Sequence, residues 1–202
     1  MSETWVKPVR LEGRFVTVEP LTLDHATDLF EIGQEPELWQ WLSYNEFRSI
    51  GDAQRYVEEA LALKATGEEF PFAVVDRASG RVAGTTRYLE IAPAHKGIEI
   101  GWTWYGESYR RTATNSETKL LLMTHAFEAL GAHRVQFKTD SRNIRSQTAI
   151  ERLGAVKEGV LRSHRIVAKD GYVRDSVYFS VITEEWPAVK ARLQRFVTQD
   201  PS

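Results

Sequence analysis

Apolar and β-branched residues alternate along Val9 to Pro20, centred on Val16, Thr17 and Val18, and this period of two predicts a strand. From Thr22 the spacing lengthens to threes and fours through Leu29 and Ile32, the period of an amphipathic helix. Ser49 to Ala65 repeats it and places Ala53, Tyr56, Val57, Ala60 and Leu61 on one face. An aromatic-rich loop, PELWQWLSYNEF, joins the two helices. Pro71 to Asp76 and Arg81 to Leu89 are β-rich runs joined by Ala78-Ser79-Gly80, which predicts an antiparallel hairpin, and Gly97 to Tyr105 is a further strand. Thr114 followed by Glu117 fits a capping box, which makes Asn115 the first residue of a helix with Leu120, Met123, Phe127 and Leu130 on its buried face and Gly131 as its stop. Arg134 to Asp140 is then a strand. A short helix follows, with Ala149, Ile150 and Leu153 apolar and Gly154 ending it. Two β runs, Gly159 to Ala168 and Tyr172 to Ile182, are joined by Lys169-Asp170-Gly171, a strong hairpin signal. A last helix begins at Thr183 and carries Trp186, Val189 and Leu193. The order β, α, α, β, β, β, α, β, α, β, β, α describes a mixed α/β (α+β) chain. No repeat, linker or compositional break divides it, so one domain over residues 1–202 is expected.

Composition narrows the function. With 42% hydrophobic and 27% charged residues the chain matches a soluble globular protein and carries no signature of disorder. A net charge of -2 offers no field to draw a nucleic-acid backbone or an anionic membrane, so neither is expected as a partner. The absence of cysteine removes disulfides, thiolate metal sites and cysteine nucleophiles, leaving oxygen and nitrogen chemistry or a borrowed thiol, and no metal is expected. The stretch MSETWVKPVRLEGRF has charges where a signal peptide needs an apolar run, and no stretch approaches the ~18 apolar residues of a membrane span, which points to a cytoplasmic protein.

The stretch YRRTATNSETK carries the clearest chemistry. A strand that runs into a helix start exposes amides without internal partners, and the helix dipole adds positive charge there. Arg110 and Arg111 add forked guanidiniums, while Thr112, Thr114 and Ser116 add hydroxyls, so a pyrophosphate would suit the junction. By themselves these residues read first as a capped helix after two surface arginines. Asn143 and Ser146, at the start of the short helix, likewise read as caps when taken alone.

The order of elements, the arginine-led turn and the NIRS…RLGA helix together resemble the GCN5-related N-acetyltransferase (GNAT) family, more narrowly its RimJ/RimL-like branch, over nearly the whole chain. The resemblance implies a mixed, mostly antiparallel central sheet of about seven strands flanked by helices. It also implies acetyl-CoA as co-substrate. The family's acetyl-CoA loop (Gln or Arg, any two residues, Gly, any residue, Gly or Ala) falls on Arg110, Arg111, Thr112, Ala113, Thr114 and Asn115. Both glycine positions depart from the pattern, at Ala113 and Asn115. Alanine gives only part of the backbone freedom and close phosphate approach that glycine gives. Glu117 is expected to point aside, since a carboxylate in the first turn would compete for the same amides. Asn143 and Ser146 correspond to family residues beside the pantetheine arm and the sulfur. Ile150 stands where many relatives carry a tyrosine that protonates the leaving thiolate, so Ser146 is the expected partner of the sulfur. The family's splayed strand would put Trp104 and Tyr105 where backbone groups pair with pantetheine.

Acetyl transfer to an amine needs a base, because a free amine is mostly protonated at neutral pH. Glu99, on the strand before the loop, is the first candidate; its plain alternative is a cross-strand salt bridge on a solvated sheet face. Glu90 is in reserve. The RimL-like glutamate after the RLGA turn falls on Arg165, and the adjacent His164 is a further reserve. Trp39, Trp41 and Tyr44 lie on the implied wall of an acceptor cleft and fit a core equally well. The acceptor is an amine, either a protein N-terminus or a small molecule. Trp186 and Leu193 offer a face for a homodimer by family habit. The altered loop and the missing glutamate leave open a non-catalytic acyl-CoA-binding domain, and a larger donor such as succinyl-CoA would use the same loop.

Overall fold

The computed structural model describes residues 5–199; residues 1–4 and 200–202, with the first positions of the charged amino-terminal stretch, lie outside the described residues. The strands are β1 (Leu11–Glu12), β2 (Val16–Pro20), β3 (Phe70–Asp76), β4 (Val82–Ala92), β5 (Gly97–Tyr105), β6 (Arg134–Asp140), β7 (Val156–Ile166) and β8 (Val173–Ile182). The helices are α1 (Ala26–Ile32), α2 (Ile50–Thr66), α3 (Ala113–Thr124), α4 (Ile144–Leu153) and α5 (Trp186–Gln199). The strands form one sheet in the order β1-β2-β3-β4-β5-β6-β8-β7. All pairs are antiparallel except β5–β6.

Local chemistry explains the boundaries. Ser49 and Asp52 form a capping box at the start of α2, and Gly67 ends it at φ 81°. Gly154 ends α4 at φ 104°, a conformation that favours glycine. Apolar side chains line both faces of the sheet. Leu122, Met123, Val135, Phe137, Phe179, Trp186 and Leu193 fill the face under α3 and α5; Leu29, Trp39, Phe47, Tyr56 and Trp104 fill the other, under α1 and α2.

Four expectations change. The first β run is two strands rather than one, which raises the sheet from about seven strands to eight, because the chain turns at Gly13 and donates its amide back to Val16 O at 2.8 Å. Thr114 is not the cap of α3. Thr112 is, its hydroxyl accepting from the Thr114 amide, so the helix begins at Ala113. As expected, the carboxylate of Glu117 turns aside: it accepts the amides of Arg14, Phe15 and Val16 at 2.7, 2.7 and 2.8 Å, pinning the β1–β2 turn. Finally, α5 starts at Trp186 rather than Thr183. Trp186 and Leu193 are buried within the chain's own core, so they present no free face to a second copy.

The feature that positions the site is the one parallel pair. β5 and β6 are joined only from Gly97–Arg134 to Glu99–Gln136, after which their pairing stops and the sheet splits open. The β4–β5 pairing is itself irregular there, and Trp102 takes φ 50°.

Candidate active site

A cleft of about 1570 Å³ fills the split. This exceeds the ~300–1,000 Å³ of an ordinary small-molecule pocket and suits a long ligand or two ligands together. Its walls are the open edge of β5, the start of α3, α4 and the polar face of β6, β7 and β8.

At one end lies the turn into α3. Arg111 is exposed and holds φ 63°. Arg110 turns inward: its Nη atoms meet Glu35 Oε1 and Oε2 at 3.2 and 2.5 Å, and its Nε donates to Tyr105 O at 3.0 Å. The guanidinium therefore ties the turn to the loop after α1 and has no free fork for a phosphate. Thr112, Asn115 and Ser116 line the cleft, and Ala113 is the first residue of the helix behind them. Across from them, α4 contributes Arg145 and Arg152, and the Nη2 of Arg152 reaches Ser116 Oγ at 3.4 Å. Asn143 caps α4, its Oδ1 accepting the Ser146 amide at 3.0 Å, while Ser146 itself lines the cleft.

At the point of the split sits Glu99, 1% exposed. Its Oε1 is 3.3 Å from Lys138 Nζ and its Oε2 accepts from Gln136 Nε2 at 3.0 Å. It is thus not on a solvated sheet face but at the bottom of the cleft, oriented by two neighbours on β6. Lys119, on α3, also reaches into the cleft. Its Nζ donates to Thr103 Oγ1 at 2.8 Å, and burial pushes its pKa down to about 7.

The chain matches the profile of the acetyltransferase (GNAT) domain over residues 16–156. It belongs to the GNAT family. The crystal structure of a GCN5-related N-acetyltransferase from Brucella melitensis superposes with a TM-score of 0.89 at 32% identity, covering 95% of this chain and 86% of that one. The N-acetyltransferase p20 of Bacillus licheniformis, itself uncharacterised, is 23% identical over 171 residues, 85% of this chain and 94% of p20. The RimJ/RimL-like branch is represented by the ribosomal-protein-S5-alanine acetyltransferase of Vibrio fischeri, which shares the fold with a TM-score of 0.70 at 20% identity, covering 88% of this chain and 98% of that one.

Set in the GNAT fold, most of the residues picked from sequence line one cleft: Glu99, Ser146, Asn143, Arg111, Thr112, Asn115 and Ser116. Thr114 is buried behind them, 5% exposed. Trp104 packs its ring against Trp39 at 5.0 Å and donates its indole N–H to Tyr56 Oη at 3.1 Å, so its side chain is core and only its backbone edge faces the split. Tyr105 is buried likewise, 8% exposed. Trp39 is core, whereas Trp41 and Glu90 line the cleft. Tyr44 packs on Trp102 at 5.4 Å, and burial, then its contact with Glu59, lifts its hydroxyl to about 12. His164 spends its Nδ1 on Ser176 Oγ at 3.0 Å. Sequence reasoning missed Lys119, Lys138 and Arg174. Lys119 stands three and four residues before Leu122 and Met123, and that spacing could have shown it on the buried stripe.

Proposed function

We propose that this chain, as one domain over residues 1–202 and in the cytoplasm, transfers the acetyl group of acetyl-CoA to an amine. The observation that carries this is the β5–β6 split, which opens directly from Glu99 and runs to the first turn of α3. Bound acetyl-CoA would supply a thioester whose carbonyl the amine attacks, a C–N bond forming as the C–S bond breaks and CoA leaves as the thiol. The first-turn amides of α3 and the exposed Arg111 are suited to its phosphates, and Arg110 holds their turn in place through Glu35. The edge of β5 beyond Glu99, at Trp104 and Tyr105, has no ladder with β6 and is suited to an extended amide-bearing arm, the Tyr105 carbonyl already accepting from Arg110. Glu99 takes the proton of the incoming ammonium, with Gln136 and Lys138 fixing its carboxylate. Ser146 donates its O–H to the leaving sulfur, which needs little help because a thiol loses its proton near pH ~8.5.

Calorimetric titration of acetyl-CoA followed by thiol release tests this cleanly, since the chain has no cysteine of its own to react with a thiol reagent. Glu99→Gln should lower kcat by roughly 10²–10⁴-fold with little change in acetyl-CoA affinity. Absence of acetyl-CoA binding would overturn the proposal. A binding-only domain is favoured by one observation, that Glu99 is already ion-paired to Lys138 in a buried setting; it predicts binding without thiol release for any amine. Tighter binding of succinyl-CoA than of acetyl-CoA would instead assign the larger donor.

A further inference from the structure

The β7–β8 side of the cleft carries cations that the transfer chemistry does not use. Arg165 and Arg174 sit directly opposite each other on β7 and β8 and both line the cleft. Two like charges in register are unfavourable unless something between them is negative. Arg174 is half-buried, and among the described residues its guanidinium makes no hydrogen bond or ion pair; its Nε is fully enclosed without a partner. A half-buried guanidinium with an enclosed donor left without a hydrogen-bond partner is costly in a resting protein and is therefore a feature to explain.

The nearby carboxylates do not answer it. Asp140 is committed to Arg142, accepting the backbone amide at 2.9 Å and the side-chain Nε and Nη2 at 3.0 Å each. Glu90 stands 3.3 Å from Arg165 and 3.9 Å from Lys138, is half-exposed, and makes no ion pair with Arg174. Glu99 is held by Lys138 and Gln136. Arg174 nevertheless feels the charges of both Glu99 and Asp140 and lines the same cleft as Glu99, so a group bound to it would share that cleft with the proposed base. The two-residue offset of β7 against β8 between Leu161 and Arg165, where Ser163 takes φ 50°, is what brings Arg165 level with Arg174.

We propose that Arg165 and Arg174 bind a carboxylate of the acceptor, so that the favoured substrate is an amine bearing a carboxylate a few bonds from the reacting nitrogen. This rests on the acetyltransferase assignment. A planar carboxylate takes two parallel N–H donors from a guanidinium, and Arg174 has its donors unspent. The amine of such a substrate is then directed toward Glu99. Two sources share this chemistry: the α-carboxylate of a free amino acid, and an acidic side chain at the start of a peptide.

The test measures thiol release from acetyl-CoA with free amino acids, their carboxamides, and dipeptide amides that begin with Asp or Glu. It uses the wild type, Arg174→Gln, Arg174→Lys and Arg165→Gln, with calorimetric binding of acetyl-CoA and of the N-acetylated products run in parallel. The expected result is a KM at least tenfold lower for carboxylate-bearing amines than for their amides, a ratio that collapses toward one in Arg174→Gln and is partly kept in Arg174→Lys. N-acetylated acids should also bind at least tenfold more weakly to Arg174→Gln. Reaction with free amino acids assigns the α-carboxylate, and reaction with the acidic dipeptide amides assigns the side chain. Equal KM for acids and amides, an unaltered ratio in both glutamine variants, or no reaction with any carboxylate-bearing amine while acetyl-CoA binds normally would each overturn the inference. Loss of acetyl-CoA binding in the wild type would instead overturn the acetyltransferase assignment beneath it.

Discussion

Replacing Lys119 by methionine should stabilise the folded chain by an amount that shrinks as the pH rises. The side chain is 6% exposed, donates to Thr103 Oγ1 at 2.8 Å, lies 5.8 Å from the Phe137 ring centroid and has no carboxylate partner among the described residues. Burial pushes its pKa down to about 7, whereas an unfolded lysine titrates near ~10.4. The sign follows from proton counting. Below pH 7 both states are protonated and the folded state carries the whole cost of a buried charge; between 7 and 10.4 only the unfolded state holds the proton, so stability rises with pH; above 10.4 the cost is gone. At ~1.4 kcal/mol per tenfold in proton affinity, the pH-dependent cost is on the order of 4 kcal/mol near neutrality and about 2 kcal/mol near pH 9. Methionine keeps the length and apolar body of the side chain without the charge, and gives back roughly 1 kcal/mol through the lost hydrogen bond. Urea unfolding of both proteins at several pH values between 6 and 10 reads the difference directly, and the tyrosines that also titrate in this range cancel because both proteins contain them. A stability difference that stays constant from pH 7 to 9 would refute the argument and show that the amine remains charged inside the fold.

Four further outcomes follow from named contacts. Glu117→Ala should cost roughly 3 kcal/mol, since three amides, that of Val16 buried and those of Arg14 and Phe15 partly buried, lose a charged acceptor, and Glu117→Gln should recover part of it; urea midpoints decide. Gly84→Ala places a Cβ on the Trp104 carbonyl oxygen and 2.7 Å from Tyr105 Cδ1, so it should cost about 1–3 kcal/mol by thermal denaturation and reduce acyl-CoA binding at the mouth of the split. A double-mutant cycle between Glu35→Ala and Arg110→Ala should give a coupling of about 1–2 kcal/mol, and zero coupling would show that the turn into α3 stands without that pair. His164→Ala should leave the acid limb of the pH–rate profile in place, because burial, then the charges of Arg165, Lys138 and Arg174, lowers its pKa and its Nδ1 is engaged with Ser176; a shifted limb would make it the base after all.

Most of the architecture is written in local patterns. The strands from β3 to β6, α2, α4 and the β7–β8 hairpin were all legible, because each is bounded by a turn or cap whose chemistry lies within a few residues. The failures share a physical cause. Glu117 sits where a capping box predicts it, but its carboxylate serves amides about a hundred positions earlier in the chain, and no local pattern encodes that. Arg110 looks like a phosphate ligand until Glu35 is brought beside it by tertiary packing. Glu99 was legible as an acid on the right strand, yet its enclosure depends on Lys138 and Gln136, which only the parallel pairing of β5 with β6 delivers. Arg174 gives no signal at all in the sequence, since an unmatched cation can be recognised only when its surroundings are known.

The three-residue seam between β5 and β6 has a mechanical consequence. On one side of it five strands are linked by antiparallel ladders, and on the other side three are. The sheet is therefore two plates joined by a short zipper, with α3 laid across one plate, α4 and α5 across the other, and α3 packed on α5 behind the seam. Small rotations about Gly97–Glu99 and Arg134–Gln136 change the width of the opening while leaving every other ladder intact. Hydrogen exchange at those amides of the six residues that face the seam would then report its opening, and a ligand wedged in the split would slow it by acting as the missing strand between the plates.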